Sequence, residues 1–116
     1  SSHRQLAALR NLIARCRAAE IPLLLYITPV NCAEGAAFAG AGFAAAIEAR
    51  TALVRAAVEE GGGQVLDWSQ ALGPEHFSQG TYRADEHLRD TGRQTLARML
   101  AAEVQALAGT ENADAL

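Results

Sequence analysis

A three-layer α/β fold with a parallel-strand βαβ unit flanked by helices is what the sequence predicts, and three observations predict it. One is a run of eight almost wholly apolar residues bounded by prolines, Pro22 to Pro29, which lacks the alternation of a strand with one wet face. A strand of that kind is buried on both faces, as in parallel sheets covered by helices. Another is a pair of long segments with apolar residues at helical spacing on either side of that run. The last is a second, shorter apolar run, Val65 to Trp68, that comes after the second helical segment and makes strand–helix–strand order. Such a crossover joins parallel strands and is expected to be right-handed.

In chain order, residues 3–19 place Leu6, Leu9, Leu12, Ile13 and Cys16 on one helical face and arginines on the other, and the helix must end before Pro22. Residues 21–30 form the first strand. Residues 31–42 are rich in glycine and alanine without a period and read as a flexible loop at the strand's carboxyl end, where open α/β sheets bind ligands. Gly35, Gly40 and Gly42 do not have the spacing of a phosphate-cradling loop or a dinucleotide fingerprint. Phe43, Ile47, Val54 and Val58 mark a second helix to about Glu60, stopped by Gly61, Gly62 and Gly63.

The second strand lies within residues 64–69. Residues 70–90 are a polar connection with Pro74, Gly80, His76 and His87, and a structureless stretch of that length is uncommon unless it has a function. Asp90 or Thr91 caps the final helix, whose stripe is Leu96, Met99, Leu100, Val104 and Leu107. The domain spans residues 1–109, and residues 110–116 read as a polar, frayed tail.

Composition narrows the function. The chain has 116 residues and a net charge of −3, with ten arginines and no lysine. One domain is the limit at that length. Nucleic-acid surfaces need clustered basic residues, so the negative balance argues against that partner, and Arg4, Arg10, Arg15 and Arg17 read as a solvated helix face. Cys16 and Cys32 make neither a disulfide framework nor a zinc-type spacing. No cofactor-binding set is visible, and a metal site from Asp67, His76, Asp85 and His87 has ligand types but no supporting spacing. No apolar run is long enough to span a membrane, and no signal peptide opens the sequence.

The chemistry concentrates in residues 82–92, where Asp85 and His87 are a closely spaced acid and imidazole ahead of a helix. A carboxylate that holds an imidazole's tautomer and stabilises its protonated form makes it an effective general base. Such a pair needs a nucleophile. Ser69 and Ser78 lack the sharp strand-to-helix turn that exposes one, and Cys32 paired with His87 is a thiol alternative. On its own residues, His87 equally suits a hydrogen-bonding role within the loop.

The strand from Pro22 to Pro29, the strand Val65 to Trp68, and the block Asp85 to Ala97 together resemble the C-terminal part of an SGNH/GDSL-type hydrolase or O-acyltransferase. His87 and Gly92 keep the family's histidine-to-glycine spacing. The commonest family spacing puts the acid three residues before the histidine, where Ala84 stands. The closer Asp85 is similar to the branch of alginate-type polysaccharide O-acetyltransferases.

That resemblance implies a partial SGNH or flavodoxin-like sheet, with Asp85 orienting His87 as the base of a Ser-His-Asp triad. It also implies an ester substrate, favouring an acylated carbohydrate, and a periplasmic or extracellular setting. The family's Gly-Asp-Ser nucleophile block and its oxyanion-hole residues are absent from these 116 residues. Alone, the chain is therefore not expected to catalyse acyl transfer. The alternative is a non-catalytic α/β binding or assembly module, with self-association expected through an exposed strand edge. A receiver-like regulatory domain would need an acidic cluster or phosphate loop that the sequence lacks.

Overall fold

Two short parallel strands carry the architecture, and helices supply most of the mass. The computed structural model describes residues 2–78 and 87–115. Its elements are α1 (Ser2–Ala18), β1 (Leu25–Ile27), α2 (Cys32–Ala39), α3 (Gly42–Glu60), β2 (Val65–Asp67), a 3₁₀ turn at Pro74–His76 and α4 (Asp90–Ala115). β1 and β2 pair in parallel with Leu25 opposite Val65, Tyr26 opposite Leu66 and Ile27 opposite Asp67. The expected strand–helix–strand unit is present, in a mixed α/β chain.

Because strand side chains alternate, Ile27 and Asp67 share one sheet face and Tyr26, Leu66 and Trp68 the other. The first of these faces looks at α3. Ile27 lines a small cavity of about 180 Å³ with Ile47, Thr51 and Val54. On the opposite face the Tyr26 and Trp68 rings lie 5.2 Å apart and tilted by 38°, the offset geometry that aromatic pairs prefer. Trp68 is thus a packing residue.

α1 and α3 pack together through Ile13, which is 1 % exposed and meets Val58 and the glycines after α3. Arg17 donates to the Gly61 carbonyl at 3.0 Å, and Arg10 reaches Glu60 at 2.8 Å on the open surface. An exposed pair of that kind contributes a few tenths of a kcal/mol, so burial of Ile13 and Val58 decides the contact. Gly62 takes a φ of 82°, the left-handed conformation that ends α3 and turns the chain into β2.

Three expectations need correction. Residues 31–42 are not a loop but contain α2, which Asn31 caps: its Oδ1 accepts the Glu34 N–H at 3.2 Å, and its Nδ2 donates to Glu34 Oε2 at 2.9 Å. Asparagine at that position, glutamate three residues on and a run of alanines suffice for a helix without an amphipathic period. The frayed tail is also helical, since α4 continues past Gly109 to Ala115.

The stripe on α4 is the third. Leu96, Met99, Leu100 and Leu107 are half-buried as the stripe expects, but Val104 is 54 % exposed and Glu103 is half-buried in its place. α4 packs chiefly on the 3₁₀ turn at its start. Farther along, Ala106 and Leu107 line an open groove of about 440 Å³ with Ile13, Leu24 and Leu66 rather than a closed core. The helix begins with Asp90 inside its first turn, and the Arg93 N–H bonds to the Arg89 carbonyl at 2.9 Å, so the acid favours the helix start through its charge.

Among the described residues, Ile13, Ala57 and Val58 are buried between α1 and α3, Leu72 and Phe77 in the connection after β2, and Pro29 beyond the end of β1. With so few buried side chains each one matters. Ile13→Ala is expected to cost about 2–5 kcal/mol in urea unfolding, from lost transfer energy and the cavity left behind. A midpoint unchanged from the wild-type chain would contradict this core assignment.

Candidate functional site

The carboxyl ends of the two strands hold the densest polar network among the described residues. Beyond the last paired residues, the Trp68 N–H bonds to the Ile27 carbonyl at 3.2 Å and the Val30 N–H to the Ser69 carbonyl at 2.9 Å. The parallel pairing therefore outlasts the regular strands by two to three residues on each side. Asn31 comes next, 3 % exposed, so the entry to α2 is fixed at the same place.

Asp67 organises this end. Its Oδ1 accepts from the Ser69 hydroxyl at 2.6 Å and from the Ser69 backbone N–H at 3.1 Å, and its Oδ2 accepts from Arg55 at 2.9 Å. The carboxyl pKa is lowered, first by the Ser69 hydroxyl and then by the Ser69 backbone N–H, the Arg55 charge and the Thr51 hydroxyl, against opposition from burial. Arg55, Asp67 and Ser69, with Glu48, Thr51 and Gln70, line a polar cavity of about 370 Å³. Aspartate two residues before a serine is a familiar turn pattern, yet its partnership with Arg55 twelve residues earlier cannot be read from spacing.

This geometry settles the nucleophile candidates near β2 and α2. Ser69 is 2 % exposed and directs its proton at a carboxylate, so it holds a turn rather than facing a substrate. The Cys32 thiol lies 3.8 Å from the Ser69 carbonyl and is half-buried. Burial and then the Asp67 charge push its pKa up, which disfavours the thiolate that a nucleophile or metal ligand must become. Among the described residues, no group of three or more His, Cys, Asp or Glu side chains comes together as a metal site.

The histidine-bearing connection is anchored by burial of Phe77, 0 % exposed, and by an antiparallel bridge between Phe77 and Leu88. The Ser78 N–H donates to the His87 carbonyl at 2.9 Å, and the Arg89 N–H to the His76 carbonyl at 2.8 Å. These bonds put His87 at the mouth of the segment, exposed, immediately before α4. Asp85, the predicted orienting acid, lies outside the described residues.

Gly92 explains its own spacing from His87. A Cβ on it would run into the His76 carbonyl oxygen and sit 3.0 Å from Leu88 Cδ2, so only glycine lets the first turn of α4 lie this close to the 3₁₀ turn. Arg93 reinforces the junction, donating to the Leu88 carbonyl at 3.1 Å and pairing with Asp90. His76 is half-buried in the same junction. Its Nε2 is 3.6 Å from Glu75 Oε1, and its buried Nδ1 has no hydrogen-bond partner among the described residues.

The described residues thus hold two assemblies: the Asp67 network at the carboxyl end of the sheet, and the 3₁₀ turn that touches both α2 and α4 and carries the His87 segment. Sequence reasoning singled out His87 and Gly92 and passed over the Asp67–Arg55 pair. No protein-family model, curated protein or solved structure matches the chain.

The lowered pKa of Asp67 sets a sign for acid stability. Its folded value is below the ordinary aspartate value of about 3.9, so its contribution is complete above that pH and is lost as pH falls through the folded value. Thermal stability measured from pH 7 downward should drop below about pH 4, and Asp67→Asn should flatten that drop while costing about 1–3 kcal/mol at neutral pH. An acid profile identical in the two proteins would remove Asp67 from this role.

Proposed function

We propose that this chain is the histidine-bearing part of an SGNH-like esterase or O-acyltransferase, with Asp85 and His87 as two members of a Ser-His-Asp triad. The observation that carries this reading is the presentation of His87. His87 is exposed just ahead of α4, on a backbone held by the Phe77–Leu88 bridge and by a first turn of α4 that only Gly92 permits. A catalytic base needs a fixed backbone and an open face together. The partial flavodoxin-like, three-layer arrangement belongs to the same proposal.

In the proposed reaction, a serine hydroxyl from outside residues 1–116 attacks the acyl carbonyl of an ester. Its proton passes to His87, the ester C–O bond breaks, and the same proton leaves on the departing alkoxide. An acceptor hydroxyl, or water, then gives its proton to His87 and takes the acyl group, regenerating serine. Asp85 holds the imidazole in one tautomer and stabilises its cation. Acylated carbohydrate in a periplasmic or extracellular setting is the favoured substrate and compartment, on resemblance alone.

A second reading, the non-catalytic binding or assembly module, draws on a different observation. Among the described residues the sheet has two strands, and an unpaired strand edge tends to associate with another chain.

Turnover of an activated acetyl ester by the gene product that carries this chain separates the two. In the catalytic reading His87→Ala lowers turnover at least about 10³-fold, whereas His76→Asn stays within a few-fold of wild type. Equal turnover in wild type and His87→Ala, or no turnover in either, would favour the module.

A further inference from the structure

The hydrogen bonds that tie residues 76–78 to residues 87–89 fix which side chains face each other. The Ser78 N–H donates to the His87 carbonyl at 2.9 Å and the Arg89 N–H to the His76 carbonyl at 2.8 Å, with Phe77 and Leu88 paired antiparallel between them. In an antiparallel ladder this pattern surrounds an opposed pair that exchanges no bonds of its own, so the next opposed pair is Ser78 and His87. The two stand on either side of residues 79–86 in the sequence, and no spacing rule joins them.

Alternation then gives the face. Phe77 is extended, with φ −109° and ψ 157°, and its side chain is fully buried, while Leu88 opposite it is half-buried. Neighbouring side chains on extended backbone point to opposite faces, so Ser78 and His87 leave the bridge together, on the face away from Phe77. Directly opposed residues have Cβ atoms about 4.5–5.5 Å apart, close enough for a serine hydroxyl to meet an imidazole. Ser78 is half-buried and His87 exposed.

The hydroxyl is uncommitted. Among the described residues the Ser78 side chain makes no hydrogen bond, and only its backbone N–H is engaged. Serine turns about one side-chain torsion with staggered wells, so bringing the hydroxyl to the ring needs no backbone movement. A neutral imidazole has one donor and one acceptor nitrogen, and a hydroxyl that donates to one of them keeps the ring proton on the other.

We propose that Ser78 is a positioning residue for His87: its hydroxyl donates to the imidazole Nε2 across the bridge and keeps the ring proton on Nδ1, the nitrogen that Asp85 would hold. The purpose of that role rests on the acyl-transfer reading, in which Nε2 must accept a proton first from the attacking serine and later from the acyl acceptor. A lone pair already placed on Nε2 and already accepting from one hydroxyl is set to accept from another. No bond of Ser78 is made or broken in this role. The juxtaposition itself comes from the bridge alone and stands apart from that reading.

Nitrogen-15 NMR of the neutral His87 ring in residues 1–116 tests it. Ser78→Ala should move the ring nitrogens toward the Nε2-protonated form, whereas Ser78→Thr, which keeps a hydroxyl, should reproduce the wild-type shifts. Both variants retain the backbone N–H that the bridge uses, and slow amide exchange at position 78 reports that the bridge is intact. Unchanged His87 shifts in Ser78→Ala with the bridge intact overturn the proposal, as does a Ser78→Thr protein that behaves like Ser78→Ala. Should Ser78→Ala lose the bridge, the wild-type chain decides: nuclear Overhauser contacts between the Ser78 and His87 side chains support the pairing, and their absence overturns it. Asp85→Asn separates this role from the triad: a ring that Ser78→Ala shifts and Asp85→Asn does not keeps Ser78 and removes the triad reading, and the reverse result removes Ser78 alone.

Discussion

The Asp67 carboxylate is the constraint on which the rest of this structure depends. Two three-residue strands bury too little to fix their own register, and the pairing persists because the residues just beyond them are tied down. Asp67 holds the Ser69 turn with two hydrogen bonds, and the Ser69 carbonyl then receives Val30, so both strand ends close on one acidic side chain. Arg55 adds the crossover helix to the same point. From there the chain leaves in two directions, through Asn31 into α2 and through Leu72 into the 3₁₀ turn, and those two pieces touch again.

Much of this was legible in the residues. Period and composition reveal α1, α3 and the strand pair, because each buries a stripe or a run that the sequence displays openly. α2 was hidden because alanine satisfies helix and loop compositions alike, and its one signal was local: asparagine with glutamate three residues later. The exposure of Val104 was hidden for the opposite reason. Its spacing is right for a buried stripe, and Leu96, Met99, Leu100 and Leu107 are half-buried, but past the 3₁₀ turn α4 borders an open groove that Val104 does not line.

At the candidate site the balance is similar. His87 and Gly92 stood out by spacing, and the structure supplies the physical reason for the glycine, a carbonyl where a Cβ would have to be. The Asp67–Arg55 partnership could not be foreseen, since it joins a strand end to the middle of a helix and depends on the crossover having folded. Ser69 and Cys32, plausible nucleophiles as letters, are engaged in the turn: the Ser69 hydroxyl donates to Asp67, and the Cys32 thiol, its pKa raised by burial and then by the Asp67 charge, donates to the Ser69 carbonyl. The catalytic account seeks its serine elsewhere because the resemblance puts it in a Gly-Asp-Ser block that residues 1–116 do not contain.

The central claim is that Asp85 orients His87 as a base, and tautomer state measures orientation directly. Nitrogen-15 NMR of the neutral imidazole in residues 1–116 should find His87 protonated at Nδ1, the nitrogen an orienting carboxylate would hold. In Asp85→Asn the same ring should shift toward the Nε2-protonated form. Nε2 protonation in both proteins would contradict the account and leave His87 a surface residue of an assembly module.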